Sequence, residues 1–268
     1  MKIKIDKFSL GETEPLAIIA GPCAVESEDI ILKTAEGLKL LSEKFSFPLI
    51  FKSSYKKANR TSFDSFDTLG IEKALKILHK AKTEFELPII TDVHTEQEVE
   101  IVAPVVDVLQ IPAFLCRQTD LIKAAAKSGK VVNIKKGQFM APGDMKNAAE
   151  KAVMAGNDNV MLTERGASFG YHNLVVDFRS LVIMRKFGHP LVFDCTHSVQ
   201  LPSGASGVSG GQPEFILPLA RAAVAVGCDA LFIETHPEPD RALSDAHSQL
   251  PLSEFENFIK KIREIRER

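Results

Sequence analysis

The feature that most constrains this chain is an alternation. Short runs rich in Val, Ile, Leu and Phe recur eight times, each followed by a longer stretch with helical periodicity. The runs are LAIIA (16–20), PLIFKSS (48–54), PIITDV (88–93), DVLQI (107–111), VVNIKK (131–136), NVMLTER (159–165), LVFDCTHS (191–198) and ALFIETH (230–236). A strand apolar at nearly every position is covered on both faces, which is the condition of a parallel sheet flanked by helices. Between the runs, Ser27 before Glu28 and Asp29 predicts an N-cap with an acidic first turn, opening a helix to about Lys44. Thr119 and Asp120 predict a second such start, with Gly129 just past the helix end at Lys127. Further helices are predicted near 70–85, 96–104, 143–155, 177–187, 213–226 and 252–266, with Gly156, Gly188 and Gly227 each just past one of them.

Eight strand–helix units in this length predict an α/β fold, a (β/α)8 TIM barrel, ahead of a doubly wound open sheet. Residues 1–15 fall outside the repeat, and MKIKI and KFSL around Asp6 predict a short N-terminal hairpin closing the barrel bottom. The whole of 1–268 then reads as one domain. A net charge of −2 leaves no global basic field to hold nucleic acid or an anionic membrane, so any anion must be held by cations gathered locally. No apolar run approaches the roughly 18 residues needed to cross a bilayer, and the first residues lack the apolar core of a signal peptide. Cys23, Cys116, Cys195 and Cys228 form no CxxC pair and no disulfide framework. A reducing cytoplasm is the expectation.

In a barrel the chemistry gathers where the strands end, because the loops that follow them build one concave face. Strand two ends in Lys52, Ser53 and Ser54, followed by Lys56, Lys57, Asn59 and Arg60. Strand three ends in Asp92 and His94, strand four in Gln110, strand five in Asn133, Lys135 and Lys136, and strand six in Glu164 and Arg165. Any one strand-end Lys is read as readily as a solvated side chain. Cations closing strands two, five and six together point to one rim built for phosphate and carboxylate groups, because a covered strand does not otherwise carry unpaired charge. Cys23, His197 and Glu234 close strands one, seven and eight, which become neighbours when the ring shuts, and Asp245 follows strand eight. A thiolate, an imidazole and two carboxylates suit a divalent metal of Fe, Zn, Mn or Co type. From spacing alone, a buried free thiol and a core histidine account for the same residues at least as well.

Two motifs are set aside. Gly166-Ala167-Ser168-Phe169-Gly170 has the GxSxG form, but a nucleophile elbow needs a helix starting at the Ser, and here the helix is predicted to begin near Asp177. Gly204, Gly207, Gly210 and Gly211 match no nucleotide fingerprint and read as a mobile loop over the site.

Several strand-end segments together resemble the 3-deoxy-D-manno-octulosonate 8-phosphate synthases. They are GPCAVES (21–27), FKSSYKKANR (51–60), QIPAFLCRQTDL (110–121), NIKKGQF (133–139), LTERGASFGYHNLVVDFRSL (162–181), FDCTHSVQLP (193–202), SGG (209–211), RAAVAVGCDALFIETHPEP (221–239) and LSDAHSQLPL (243–252). The resemblance implies condensation of phosphoenolpyruvate with D-arabinose 5-phosphate and water, in a cytoplasmic homotetramer that supplies a lipopolysaccharide precursor. It implies that Lys135 and Arg165 hold the phosphoenolpyruvate phosphate. Lys52, Ser54 and Lys57 lie around the carboxylate and reacting end, with Gln110 and Ala113 beside them and Asp92 near the reacting centre. Asn59, Arg60 and Thr61 bind the sugar phosphate, and Ser206, Gly207 and Val208 fall in a loop closing over it. Cys after Gly-Pro, where the metal-independent branch carries Asn, implies one divalent metal on Cys23, His197, Glu234 and Asp245, with His197 and Asp245 also serving catalysis. The departures are Tyr55-Lys56, where Phe-Asp is usual, and Thr61 for Ser. The nearest rival is a 3-deoxy-D-arabino-heptulosonate 7-phosphate synthase using erythrose 4-phosphate. Its Lys-Pro-Arg-Thr segment is replaced here by Lys57-Ala58-Asn59-Arg60. A Schiff-base aldolase using Lys135 or Lys52 and a non-catalytic phosphosugar-binding barrel are more distant rivals.

Overall fold

Each of the eight apolar runs forms a strand, and their pairing order closes them into a ring. The computed structural model describes residues 1–59, 66–205 and 208–266. In chain order the first half holds β1 (Ile3–Ile5), β2 (Phe8–Leu10), β3 (Ala17–Gly21), α1 (Glu28–Phe45), β4 (Leu49–Lys52), α2 (Ile71–Phe85), β5 (Ile89–Asp92), α3 (Glu96–Val102), β6 (Val108–Ile111) and α4 (Thr119–Lys127). The second half holds β7 (Val131–Lys135), α5 (Met145–Met154), β8 (Val160–Glu164), β9 (Ala167–Ser168), β10 (Leu174–Val175), α6 (Arg179–Arg185), β11 (Leu191–Asp194), β12 (Gln200–Ala205), β13 (Val208–Gly211), α7 (Ile216–Val226), β14 (Ala230–His236), β15 (Leu250–Pro251) and α8 (Phe255–Arg266). Strands β3 to β8, β11 and β14 pair in parallel in the order β11-β8-β7-β6-β5-β4-β3-β14, and β11 pairs again with β14. That last pairing, Val192 against Ala230, turns an open sheet into a barrel.

Alternate residues of each barrel strand point inward, and their character changes along the strand. The lower inward layer holds Ile19, Ile50, Ile90, Val108, Val131, Met161, Val192 and Phe232, packed on Ile3, Ile5 and Leu10 from the antiparallel β1–β2 hairpin. The predicted hairpin therefore does plug the barrel bottom. Two residues further on, the same row reads Lys52, Asp92, Gln110, Asn133, Thr163, Asp194 and Glu234, all buried or nearly so. The barrel is thus oily below and charged above, and the upper layer forms the floor of a cleft.

Ser27 caps α1 as predicted, its hydroxyl accepting from Ile30 N at 3.2 Å. The start of α4 differs from the prediction. Gln118 is the capping residue and makes no side-chain cap hydrogen bond, while Thr119 already lies within the helix. Strand seven is also shorter than its apolar run. It stops at Asp194, and His197 begins a single 3-10 turn, His197–Val199, because the Asp194 carboxylate accepts from His197 N and ends the ladder. The GxSxG segment folds as the β9–β10 hairpin, with Ser168 paired to Leu174 and no helix at the Ser. In the Gly-rich stretch, Gln200–Ala205 and Val208–Gly211 form the antiparallel pair β12–β13, while Gly207 lies outside the described residues.

Gly21 carries a direct packing requirement. Its φ is +155°, and a Cβ there would lie 2.1 Å from the Lys52 carbonyl oxygen. Gly21→Ala must push β4 away from β3 or deform both. It is expected to destabilise the fold by about 3 kcal/mol or more and to displace Lys52 and Cys23 together. Urea unfolding would read the first effect and initial rates the second. Wild-type values in both would disprove the constraint.

Candidate active site

Loop hydrogen bonds carry Cys23 into place. Ser54 N donates to Cys23 O at 3.1 Å and Val25 N to Ser54 O at 2.9 Å, so the segment after β3 is clamped to the extension of β4. The Cys23 thiol is fully buried and contacts the Asp245 carboxylate at 3.0 Å. Ligand atoms of Cys23, Glu234 and Asp245 all lie within 4.8 Å of one another. His197 stands just outside that cluster, with Nε2 3.6 Å from Glu234 Oε1. Its Nδ1 is turned to Asp194 at 2.8 Å, the arrangement in which a carboxylate orients an imidazole so that Nε2 faces the site. Asp245 sits at φ +51°, a left-handed conformation that Asp tolerates and that recurs at functional sites. Glu234 Oε2 is buried with no hydrogen-bond partner among the described residues. An orphaned carboxylate oxygen beside a thiol and a second carboxylate is a set of donors that fits a divalent cation of borderline softness.

Two lysines press on this cluster. Lys52 Nζ donates to Glu234 Oε1 at 2.6 Å and to Cys23 O at 3.0 Å. Lys57 Nζ donates to Cys23 Sγ at 3.0 Å and to Asp245 Oδ2 at 2.9 Å. Burial disfavours the Lys52 charge, but the Glu234 carboxylate and Cys23 outweigh it and hold the ammonium above its ordinary range. Burial likewise works against Lys57, and Asp245 and Cys23 more than compensate. The Lys52 amine, held in an ion pair with Glu234, is arranged as a cation and not as a free nucleophile for a Schiff base.

One cleft gathers the remaining residues. Lys52, Ser54, Lys57 and Asn59 line one side, and Asp92, Gln110 and Ala113 lie beside them. Lys135, Arg165, His197 and Glu234 line the rest. Arg60, Thr61 and Ser206, expected at the sugar phosphate, lie outside the described residues. Asp92 is reached by Ser54 Oγ and by Gln110 Nε2, the latter at 2.5 Å. The chain continues from Asn133 Nδ2 to Gln110 Oε1 at 2.9 Å and from Thr163 Oγ1 to Asn133 Oδ1 at 2.6 Å. Burial pushes the Asp92 carboxyl up, but Lys52 and Lys135 outweigh this and hold it well below the carboxylate range. It is an anion with a hydrogen-bonded support running across four strands.

The two neighbouring lysines after β7 separate cleanly. Lys135 Nζ pairs with Asp194 at 2.6 Å and lies 3.9 Å above the Phe232 ring, inside the cleft. Lys136 points the other way and donates to Gly166 O at 3.0 Å, bracing the turn that carries Arg165. Arg165 is 5% exposed, and its Nη2 donates to Gln200 Oε1 at 3.1 Å. Its Nε and Nη1 are buried with no hydrogen-bond partner among the described residues. A buried guanidinium with unsatisfied N–H groups, on a residue that lines one cleft with a lysine, suits an oxyanion.

Asp194 and Gln200 had no place among the expected site residues, yet both touch that set directly. A hint existed for Asp194, the only charge in an otherwise apolar strand. Burial raises its carboxyl, while His197 and Lys135 hold it far below its ordinary value. Lys56 lines the cleft and pairs with Glu98 at 3.4 Å, which also accepts from the Tyr55 hydroxyl at 2.7 Å. The unusual Tyr-Lys pair is thereby tied to α3. No helix among the described residues is long and apolar enough to cross a membrane.

Comparison with known proteins gives a consistent picture. A sequence model of the DAHP synthetase I family matches residues 1–268. A protein of Geotalea uraniireducens (strain Rf4) named 2-dehydro-3-deoxyphosphooctonate aldolase is 54% identical over 264 residues, covering 98% of this chain and 97% of that protein. One of the same name from Geobacter metallireducens is also 54% identical over 264 residues, with the same coverage. Another from a Synechococcus strain is 53% identical over 262 residues, 98% of this chain and 92% of that protein.

Proposed function

This chain belongs to the DAHP synthetase I family, and we propose that it is a C–C bond-forming transferase making 3-deoxy-D-manno-octulosonate 8-phosphate from phosphoenolpyruvate, D-arabinose 5-phosphate and water. The observation that carries the reading is the buried guanidinium of Arg165, with Nε and Nη1 unpaired, in one cleft with Lys135. These two cations hold the phosphoenolpyruvate phosphate, and Lys52 and Lys57 flank its carboxylate. Carbon 3 of phosphoenolpyruvate attacks the aldehyde carbon, leaving positive charge at carbon 2. Water adds there, and cleavage of the C–O bond releases phosphate. Asp92, kept anionic and supported by Ser54 and Gln110, stands where a developing positive charge or a hydroxyl proton needs a partner. Asn59, with Arg60 and Thr61, binds the sugar phosphate, and Ser206 contributes to the same substrate, as the resemblance implies. Ala113 contributes wall, not charge.

Cys23, His197, Glu234 and Asp245 hold one divalent metal, of Fe, Zn, Mn or Co type, which when bound supplies Lewis acidity and a lowered pKa for coordinated water. His197, which lines the cleft beside Glu234, and Asp245, held by Cys23 and Lys57, serve the positioning of the aldehyde and the attacking water. The protein works in the cytoplasm, toward a lipopolysaccharide precursor.

Side-by-side assays with arabinose 5-phosphate and erythrose 4-phosphate test the substrate assignment. The longer sugar is expected to win by at least about a hundredfold in kcat/KM, because a site built to hydrogen-bond a hydroxyl rejects an analogue lacking it. Equal or better use of erythrose 4-phosphate would overturn the assignment. We also infer a homotetramer. Phe114 and Phe139 are each 57% exposed, and Phe169 and Tyr171 are 69% and 96% exposed. Ser168 N donates to Gln138 O at 2.9 Å, so the loops carrying Phe139 and Phe169 lie side by side, and neighbouring exposed aromatics mark an association surface. Sedimentation equilibrium is expected to report fourfold the chain mass, and a monomer would rule the inference out.

A further inference from the structure

We infer that Gln200 is a positioning residue that couples the phosphate-binding side of the cleft to its metal-holding side. This rests on the function proposed above. Gln200 opens β12, and its carboxamide lies between two groups of opposite charge. Arg165 Nη2 donates to Gln200 Oε1 at 3.1 Å, and Gln200 Nε2 donates to Asp245 Oδ1 at 3.2 Å. The residue is 9% exposed, and its backbone is held in register with Gly211 across the β12–β13 pair. Gln212 N, donating to Val199 O at 3.0 Å, ties down the base of that pair. The hairpin therefore aims the amide.

The two neighbours dictate the residue type. An acceptor must face the guanidinium and a donor must face the carboxylate, at opposite ends of one rigid plane. Glu at this position would set a second anion against Asp245 and neutralise Arg165. Leu would leave both groups without this partner. The amide is also a direct hydrogen-bonded path between Arg165 and Asp245. Asp245 Oδ2 is already taken by Lys57 and Cys23, so Oδ1 is the oxygen whose electron density Gln200 controls. Buried hydrogen bonds in series polarise one another. The Arg165 charge draws on the amide oxygen and makes Nε2–H a stronger donor to Asp245. An oxyanion on the free N–H groups of Arg165 relaxes that pull, and Asp245 becomes a better ligand. By linkage, a metal held at Asp245 tightens the oxyanion by the same factor. Attraction through space between a phosphate and a cation adds to this, but it does not depend on residue 200.

The test separates the two contributions. Wild type and Gln200→Leu are titrated with Co2+, followed by thiolate-to-metal absorbance, with and without saturating phosphoenolpyruvate. The reciprocal titration of phosphoenolpyruvate, with and without Co2+, is followed by calorimetry. In wild type, phosphoenolpyruvate is expected to tighten Co2+ by about fivefold or more. In Gln200→Leu that factor is expected to fall at least threefold. A role confined to structure would change each affinity but leave the factor alone. Gln200→Glu keeps the side-chain length and serves if the leucine variant fails to fold. It is expected to lose the coupling and to bind phosphoenolpyruvate more weakly without metal, because its carboxylate occupies Arg165. Equal factors in wild type and the folded variant, or a factor of one in wild type, would overturn the inference. A wild-type protein that binds neither Co2+ nor phosphoenolpyruvate would instead overturn the function on which it rests.

Discussion

Replacing Arg165 by Ala is expected to lower kcat/KM for phosphoenolpyruvate by about a thousandfold, near 4 kcal/mol of transition-state stabilisation. Two nitrogens of this guanidinium have no partner among the described residues, in a place where water is scarce. A buried cation without its anion is costly to the free protein, and that cost is recovered when a phosphate binds. Arg165→Lys should restore only part of the loss, because an ammonium is a point charge and cannot present paired N–H groups to two oxygens. Stability should move the other way. Among the described residues Arg165 has one side-chain hydrogen bond, to Gln200, and burial already pulls its pKa down, so removing it relieves a strained charge. Thermal unfolding of Arg165→Ala is therefore expected at or slightly above the wild-type temperature. Steady-state kinetics with both substrates and a melting curve check the pair of expectations. Kinetic constants within threefold of wild type would remove the phosphate from this position.

Cys23→Ala is expected to weaken metal binding by at least about a hundredfold, since loss of even an outer-shell partner commonly costs 10- to 100-fold. Activity should fall with metal content, and chelation of wild type should abolish it until a divalent cation is returned. Burial, then the Asp245 and Glu234 carboxylates, push the Cys23 thiol well above its ordinary value. A ligand thiol must shed its proton, so metal affinity should fall as pH drops and binding should release protons to the buffer. Cys116→Ala is the control. Its thiol contacts Met140 Sδ at 3.1 Å, away from the cluster around Cys23, and its loss should leave metal content unchanged. Elemental analysis and titration across pH read all of these outcomes. A Cys23→Asn protein that kept full activity in the presence of chelator would show that the thiol holds no essential metal.

What could be read from residues alone was mainly periodic. Ile50, Ile90, Val108 and Val192 mark their strands because a sheet covered on both faces admits almost nothing else, and that pressure acts on each strand locally. The Ser27 cap was legible for the same reason, being settled within one turn. Thr119 misled because the preceding turn brings Gln118 to the cap, which sequence preference does not register. GxSxG was rightly set aside, since a nucleophile elbow requires a particular junction and these residues close a hairpin.

The cleft is another matter. Lys135 and Lys136 are adjacent and identical, yet one binds Asp194 inside the cleft and the other braces the carbonyl of Gly166. Only the pleat, which sends neighbours to opposite faces, tells them apart. Asp194 and Gln200 matter through partners such as Lys135, Arg165 and Asp245, which lie dozens of residues away along the chain. No local preference records such pairs, because their energies exist only once β11 has met β14 and the ring has closed. The order of residues thus specifies the strands and the chemical types at their ends. Ring closure decides which of those groups share a low-dielectric space, and it is there that charge and hydrogen bonding become strong enough to serve a reaction.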